Sequence, residues 1–160
     1  MTIQIEKMKK KDKEAVRDIV RSYWGDETII VNKEVINTSK LVGLKTVKAN
    51  EIIGILHYPV AGDECQIITL ASTKQGQGVG SKLLQEVEEI ARKEDCQLIS
   101  LNTTNDNLHA LGFYQRRGFH LAGLYPGEVT AARKLKPTIP EIGENNIPIR
   151  DEIRLEKNLE

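Results

Sequence analysis

Gln75-Gly76-Gln77-Gly78-Val79-Gly80, written QGQGVG, is the stretch whose reading decides the fold. An apolar segment, Cys65 to Leu70, precedes it. Beyond it, Val79, Leu83, Leu84, Val87, Ile90 and Ala91 recur on one helix face, which predicts a helix over 78–94. The turn therefore joins a strand to a helix. Three glycines at alternate positions remove Cβ atoms where a backbone passes close to something else. The helix they open begins with unpaired N–H groups that carry partial positive charge. Together these make a cradle for a diphosphate, with Lys74 and Lys82 flanking it. A glycine turn of purely structural use is the competing reading. The spacing is not GxxxxGK[ST], and it departs from GxGxxG because the third glycine arrives one residue early.

Working outward, Thr2 to Ile5 alternates as a short strand does. Lys10 to Tyr23 reads as an amphipathic helix, with Asp12 as its N-cap and Gly25 just past its end. Thr28 to Ser39 is ambiguous. Leu41–Lys48, Ile52–Tyr58 and Cys65–Leu70 look like three strands joined by short turns, hence antiparallel. Cys96–Leu101 reads as a buried strand, Asp106–Arg117 as a second helix stopped by Gly118, and Phe119–Tyr125 as a strand. A short helix at Glu128–Lys136, a loop at Pro137–Pro148 and a strand at Ile149–Leu155 complete the chain. The expected architecture is α/β (α+β): a central mixed sheet of about seven strands with helices on both faces. Residues 1–160 form one domain.

Composition narrows the function. Basic and acidic residues number 23 each, so the basic excess of a general nucleic-acid binder is missing. The longest apolar runs, such as Ile52 to Leu56, are too short to span a bilayer. The N-terminal MTIQIEKMKKKDKE has no apolar signal core, and two cysteines, Cys65 and Cys96, are too few for a disulfide framework. The expectation is a cytoplasmic protein that engages neither nucleic acid nor membrane.

A second segment, NDNLHALGFYQRRGF from Asn105 to Phe119, changes the reading. With QGQGVG before it, the chain resembles the GNAT superfamily of acetyl-CoA-dependent N-acetyltransferases. Gln75, Gly78 and Gly80 stand where that family has Arg or Gln, then Gly, then Gly or Ala. The second segment resembles its Asn-containing helix with Ala, Tyr and a following Gly-Phe. By strand order the resemblance covers about 3–155, and it is specific over 67–119. It implies an acetyl group moved from acetyl-CoA to a primary amine of a small molecule or peptide, with no metal. It implies that the N–H groups of Gln77, Gly78, Val79 and Gly80 hold the pyrophosphate, with Gln75, Gly76 and Ser81 in the same turn. It also implies that the strand ending near Leu70 and Ala71 pairs with the pantetheine arm, in a gap between the strands flanking the long helix. Gln75 is a departure, since Arg is commoner there and Gln brings no charge to a phosphate. A homodimer through the final strands is common for the fold.

Transfer from a thioester needs a neutral amine, donors for the developing oxyanion and a proton for the leaving thiolate. Asn107, Leu111 and Tyr114 share a helix face. Proton donation from a tyrosine to a thiolate is uphill by roughly 1.5 pKa units, about 2 kcal/mol. On pattern alone Tyr114 reads as a core aromatic beside Phe113; the resemblance makes it the general acid. Asn107 either bonds the cofactor arm or caps its helix. Gly112 in mid-helix costs about 1 kcal/mol against Ala and allows close approach of the cofactor. Glu64 and Gln66 share a strand face. Gln66 matches the family's usual Glu place, and Glu64 is a base through a bridging water or else a solvated turn carboxylate. His57 and His120 are further base candidates; His109 is expected to face away from Asn107. By resemblance, acceptor contacts come from the first helix, the loop after it and the last strands, where Trp24 and Tyr125 stand; Trp24 reads equally well as one more core aromatic. Glu128, Glu141, Glu144, Asp151 and Glu152 could draw a cationic amine or, interleaved with Arg133, Lys134, Lys136 and Arg150, form a solvated charged loop; Pro137–Pro148 would be a lid or an edge of the acceptor site. A non-catalytic acyl-CoA sensor is the alternative, and a dinucleotide-dependent enzyme ranks last.

Overall fold

A computed structural model describes residues 2–159. Along the chain run β1 (Gln4–Lys7), α1 (Lys13–Trp24), β2 (Thr28–Val31), β3 (Glu34–Asn37), β4 (Gly43–Lys48) and β5 (Glu51–His57). Next come β6 (Val60–Ala61), β7 (Glu64–Ile67), β8 (Thr69–Ser72) and α2 (Val79–Lys93). The chain ends with β9 (Leu98–Thr104), α3 (Leu108–Arg116), β10 (His120–Tyr125), α4 (Glu128–Leu135) and β11 (Glu152–Asn158). An antiparallel sheet has the order β1-β4-β5-β8, and a mixed sheet the order β10-β11-β9-β7-β6.

Helices cover both faces. On one, α1 sets Val16 and Val20 against Ile55 and Ala71. On the other, α2 buries Val79, Leu83, Leu84, Val87 and Ala91 in the larger core, with Leu44, Ile53, Ile67, Ile99 and Leu155. Gly54 allows α2 to lie this close: a Cβ there would stand 2.5 Å from the Val79 Cγ1 atom. No helix among the described residues is long and apolar enough to cross a membrane.

The ambiguous 28–39 segment is a hairpin, β2 with β3, followed by a 3-10 turn at Thr38–Lys40. Asn32 and Lys33, at φ 49° and 69°, supply the two left-handed residues that a tight hairpin requires. Three expectations change. The expected strand from Cys65 to Leu70 breaks at Ile68, whose N–H donates to the His57 carbonyl while β7 and β8 join different sheets. Asp12 precedes α1 without capping it through its side chain. Its carboxylate instead accepts from the Lys9 N–H and the buried Lys45 ammonium, which hold its pKa below the usual range against the opposing effect of burial. The last strand starts at Glu152, three residues late, because the Arg150 and Asp151 N–H groups donate to the Asn105 Oδ1 atom.

His57, 2% exposed, predicts an acid-side loss of stability. Desolvation lowers its pKa from 6.5 to about 4. The unfolded chain therefore takes up a proton that the folded one refuses, and stability falls as pH drops from 6.5 towards 4. The full span is about 3 kcal/mol at 1.36 kcal/mol per unit. Denaturant melts at pH 7 and pH 4.5 check this, and a His57→Gln variant should show a flatter profile over that window.

Candidate active site

The break at Ile68 creates the site. β7 and β9 run parallel, from Glu64 opposite Leu98 to Ile67 opposite Leu101. Past Ile67 the two edges part. β8 pairs with β5, Leu70 opposite Leu56 and Ala71 opposite Ile55, and has no strand on its other side. Asn102, Thr103 and Thr104 pair with β11 alone. Two unpaired backbone edges thus face a fork, and an extended ligand can add to either as a strand does.

The glycine turn follows β8 directly and leads from its free-edged end into α2. Gly76 and Gly78 have φ of 76° and 70°, and a Cβ built on either would meet no atom within 4 Å. Gly78 caps α2 without a side-chain hydrogen bond, and the first turn carries no acidic residue. The N–H groups of Val79, Gly80 and Ser81 have no backbone acceptor among the described residues, and no carboxylate of their own turn competes for them. Gly80 stands differently: its Cβ position lies 3.4 Å from the Phe113 Cζ atom, so α3 packs against α2 at this point. Lys48 donates from Nζ to the Gln77 Oε1 atom at 3.0 Å. Arg117 donates from Nε and a terminal nitrogen to the Ser81 Oγ atom at 3.1 and 2.7 Å. It also lies 3.7 Å over the Phe113 ring. Ser81 keeps its O–H and N–H for another partner.

Tyr114 is buried on α3, edge-on to Phe113 at 5.1 Å and to Phe119 at 5.4 Å between centroids. It shares the larger core with Ile67 and Leu101, the last paired residues before the fork. Burial raises the pKa of its phenol, so the group stays protonated at neutral pH. Its hydroxyl has no hydrogen-bond partner among the described residues. Leu111 packs against the same core. The Asn107 Oδ1 atom accepts from the Ala110 N–H at 3.1 Å and so caps α3. His109 stacks on Phe113, and His120 is exposed.

The sheet face away from α2 is polar. Glu64, at the closed end of the β7–β9 ladder, accepts at Oε2 from the Ser100 hydroxyl and from Arg154 at 3.0 Å. Arg154 also donates to Glu156 at 2.7 Å. Gln66 lies opposite Ser100 in the register. Glu152 is buried, and both its carboxylate oxygens accept from the Asn32 N–H at 3.1–3.2 Å. Burial raises its pKa, against the opposing pull of Asn32 and Asn102. Lys136, just past α4, ties it to the end of α1 and the start of β2: its Nζ donates to the Trp24 carbonyl at 2.7 Å and the Thr28 carbonyl at 2.5 Å, and lies 3.2 Å from Asp26. Trp24 packs on the α1 core, and Tyr125 lies along Gly123. Of the remaining carboxylates, Asp151 accepts from the Gly127 N–H and Glu128 lies 3.8 Å from Lys33. The 137–148 segment is strapped down, since Arg133 donates to the Ile139, Pro140 and Ile149 carbonyls and Asp106 accepts from the Glu144 N–H.

The sequence model of the Acetyltransferase (GNAT) family matches residues 7–119. The chain belongs to this family. It is 42% identical over 146 residues to the Bacillus subtilis (strain 168) protein "Uncharacterized protein YdhI", covering 91% of each chain. It is 40% identical over 149 residues to "Uncharacterized protein YxbD" of the same strain, covering 92% of this chain and 94% of that one. Among solved structures, the IAA acetyltransferase from Bacillus cereus ATCC 14579 superposes with a TM-score of 0.77 at 23% identity, covering 99% of this chain and 100% of that one. A GNAT family acetyltransferase from Elizabethkingia anophelis with acetyl-CoA bound superposes at 0.69 and 22% identity, covering 98% of each.

For a GNAT chain, the residues at the fork fit a coenzyme A molecule. Two glycines leave open the space that side chains would fill, the helix start carries no competing carboxylate, and a β edge lies free. The sequence reading missed Arg117. Its signal was the Arg116-Arg117 pair before Gly118, and α3 brings it back to Ser81 at the cradle. Among the described residues, no group of three or more His, Cys, Asp or Glu is placed to hold a metal ion.

Proposed function

We propose that the chain transfers an acetyl group from acetyl-CoA to a primary amine of a small molecule or peptide by direct attack. The observation that carries this reading is the fork between β8 and β9, opening beside the uncapped start of α2. Acetyl-CoA supplies the acyl group as an activated thioester. The N–H groups of residues 77–80 hold its pyrophosphate. Arg117 adds the positive charge that Gln75 lacks. The free edge at Leu70 and Ala71 holds the pantetheine arm as an added strand. The amine nitrogen attacks the thioester carbonyl, an N–C bond forms and the C–S bond breaks. The phenol of Tyr114 gives its proton to the departing thiolate, and the proton of the amine leaves through water to the Glu64 Oε1 atom, the oxygen that Ser100 and Arg154 leave free. Trp24 and Tyr125 line the acceptor side. On that face Glu64, Glu152 and Glu156 stand against one guanidinium, Arg154, a balance that favours a cationic acceptor.

Thiol release with a panel of polyamines, aminoglycosides, amino acids and peptides tests the reading. The expected result is a raised melting temperature with acetyl-CoA and thiol release with at least one cationic amine. Stabilisation without release across the panel would favour the non-catalytic acyl-CoA sensor. No stabilisation at saturating acetyl-CoA would reject both.

A further inference from the structure

A cavity of about 170 Å³ opens where the segment before α1, the first turns of α1, the 3-10 turn after β3 and the end of β5 meet. That is more than ten times the roughly 10–15 Å³ that admits one water. It lies on the α1 side of the antiparallel sheet, and none of the fork residues lines it. Met8, Val16 and Leu41 give it apolar walls, and the buried ring of His57 lines it.

The protonation of that ring follows from its neighbour. The Thr69 Oγ1 atom accepts from the His57 N–H at 3.0 Å and lies 2.7 Å from His57 Nδ1. A hydroxyl has one proton to donate. Thr69 is 1% exposed, and its hydroxyl makes no other hydrogen bond among the described residues. A buried hydroxyl without an acceptor costs roughly 1–3 kcal/mol, so the Thr69 O–H donates to Nδ1. The ring proton then sits on Nε2, which has no partner among the described residues. The ring thus offers the cavity one unmatched N–H donor.

The mouth is cationic. Lys9, Lys10 and Lys13 line it, are exposed, and make no ion pair among the described residues. Both carboxylates in the lining are already matched. Asp12 takes Lys45 at 2.8 Å, while Glu27 takes Arg17 at 3.2 Å and Arg21 at 3.0 Å. Lys13 also stands at the start of α1, where the helix dipole disfavours a cation. An anion at the mouth would relieve both the crowding of like charges and the dipole.

We propose that this cavity is a second ligand site, for a short organic acid with a carboxylate at one end and a carbonyl oxygen at the other. The carbonyl oxygen accepts from His57 Nε2–H, the apolar middle lies on Met8, Val16 and Leu41, and the carboxylate meets the lysines. The inference does not depend on the acetyl-transfer reading.

The test is an NMR titration of the free protein with 4-oxopentanoate, following the His57 ring and the backbone amides. Pentanoate, which has the same length without the keto oxygen, is the comparison. The expected result is a saturable shift at His57 Nε2–H and at Leu41, with the amides of residues 78–81 unmoved. Affinity should be at least fivefold weaker for pentanoate, and at least fivefold weaker in a Lys10→Gln/Lys13→Gln variant, whose exposed positions leave the core untouched. No saturable shift at His57, equal affinity for the two acids, or no effect of the lysine changes would overturn the proposal.

Discussion

Replacing Tyr114 by Phe lowers acetyl transfer by about 10²-fold or more and leaves acetyl-CoA affinity within about twofold. The ring packs edge-on between Phe113 and Phe119, and a phenylalanine fills the same space. The hydroxyl has no hydrogen-bond partner among the described residues, so its loss strands no donor or acceptor of the fold. What is removed is the proton held at the end of the ring. Burial raises its pKa and so keeps it in place at neutral pH. Turnover and melting temperature, measured together, decide between acid and filler. A structural aromatic would leave kcat unchanged, whereas the acid loses kcat with the melting temperature nearly constant.

Gly78→Val should weaken acetyl-CoA binding by about 100-fold, or about 2.7 kcal/mol. Two effects combine. At φ 70° a β-branched residue is strained, which costs roughly 1–2 kcal/mol of fold stability. The new methyl groups also occupy the open space over the α2 amides, where the pyrophosphate would sit. Gly62→Val separates the two. Gly62 has φ 63° and equally open surroundings, but it sits in the turn between β6 and β7. It should show a similar strain and an unchanged acetyl-CoA affinity. Calorimetric titration of both variants checks this. Equal affinities for the two would mean that Gly78 serves the turn and not a ligand.

What was legible in the chain was what is local. The apolar stripe from Val79 to Ala91 and the glycines before it state a strand–turn–helix in consecutive residues, and α2 begins at Val79 as that pattern requires. Gly25 and Gly118 mark helix ends at positive φ, again a property of one residue. The rest depends on partners distant in sequence. The break at Ile68 comes from a choice between two neighbours, β5 and β9, and the apolar run 65–70 reads the same whichever sheet takes it. Asp12 looks like a cap until Lys45, on a strand that folds beside it, claims its carboxylate. Arg117 stands 36 residues from Ser81 in the chain and meets it only through the packing of α3 beside Gly80. Glu152 was one carboxylate among several, and the Asn32 turn singles it out by burying it.

The most direct test is an amide ¹H–¹⁵N titration of the chain with coenzyme A, beside one with pantetheine, which lacks the phosphates. If the start of α2 holds the paired phosphates, the amides of residues 77–81 shift saturably with coenzyme A and stay still with pantetheine. Amides that do not move at saturating coenzyme A, or that move equally with pantetheine, would contradict it.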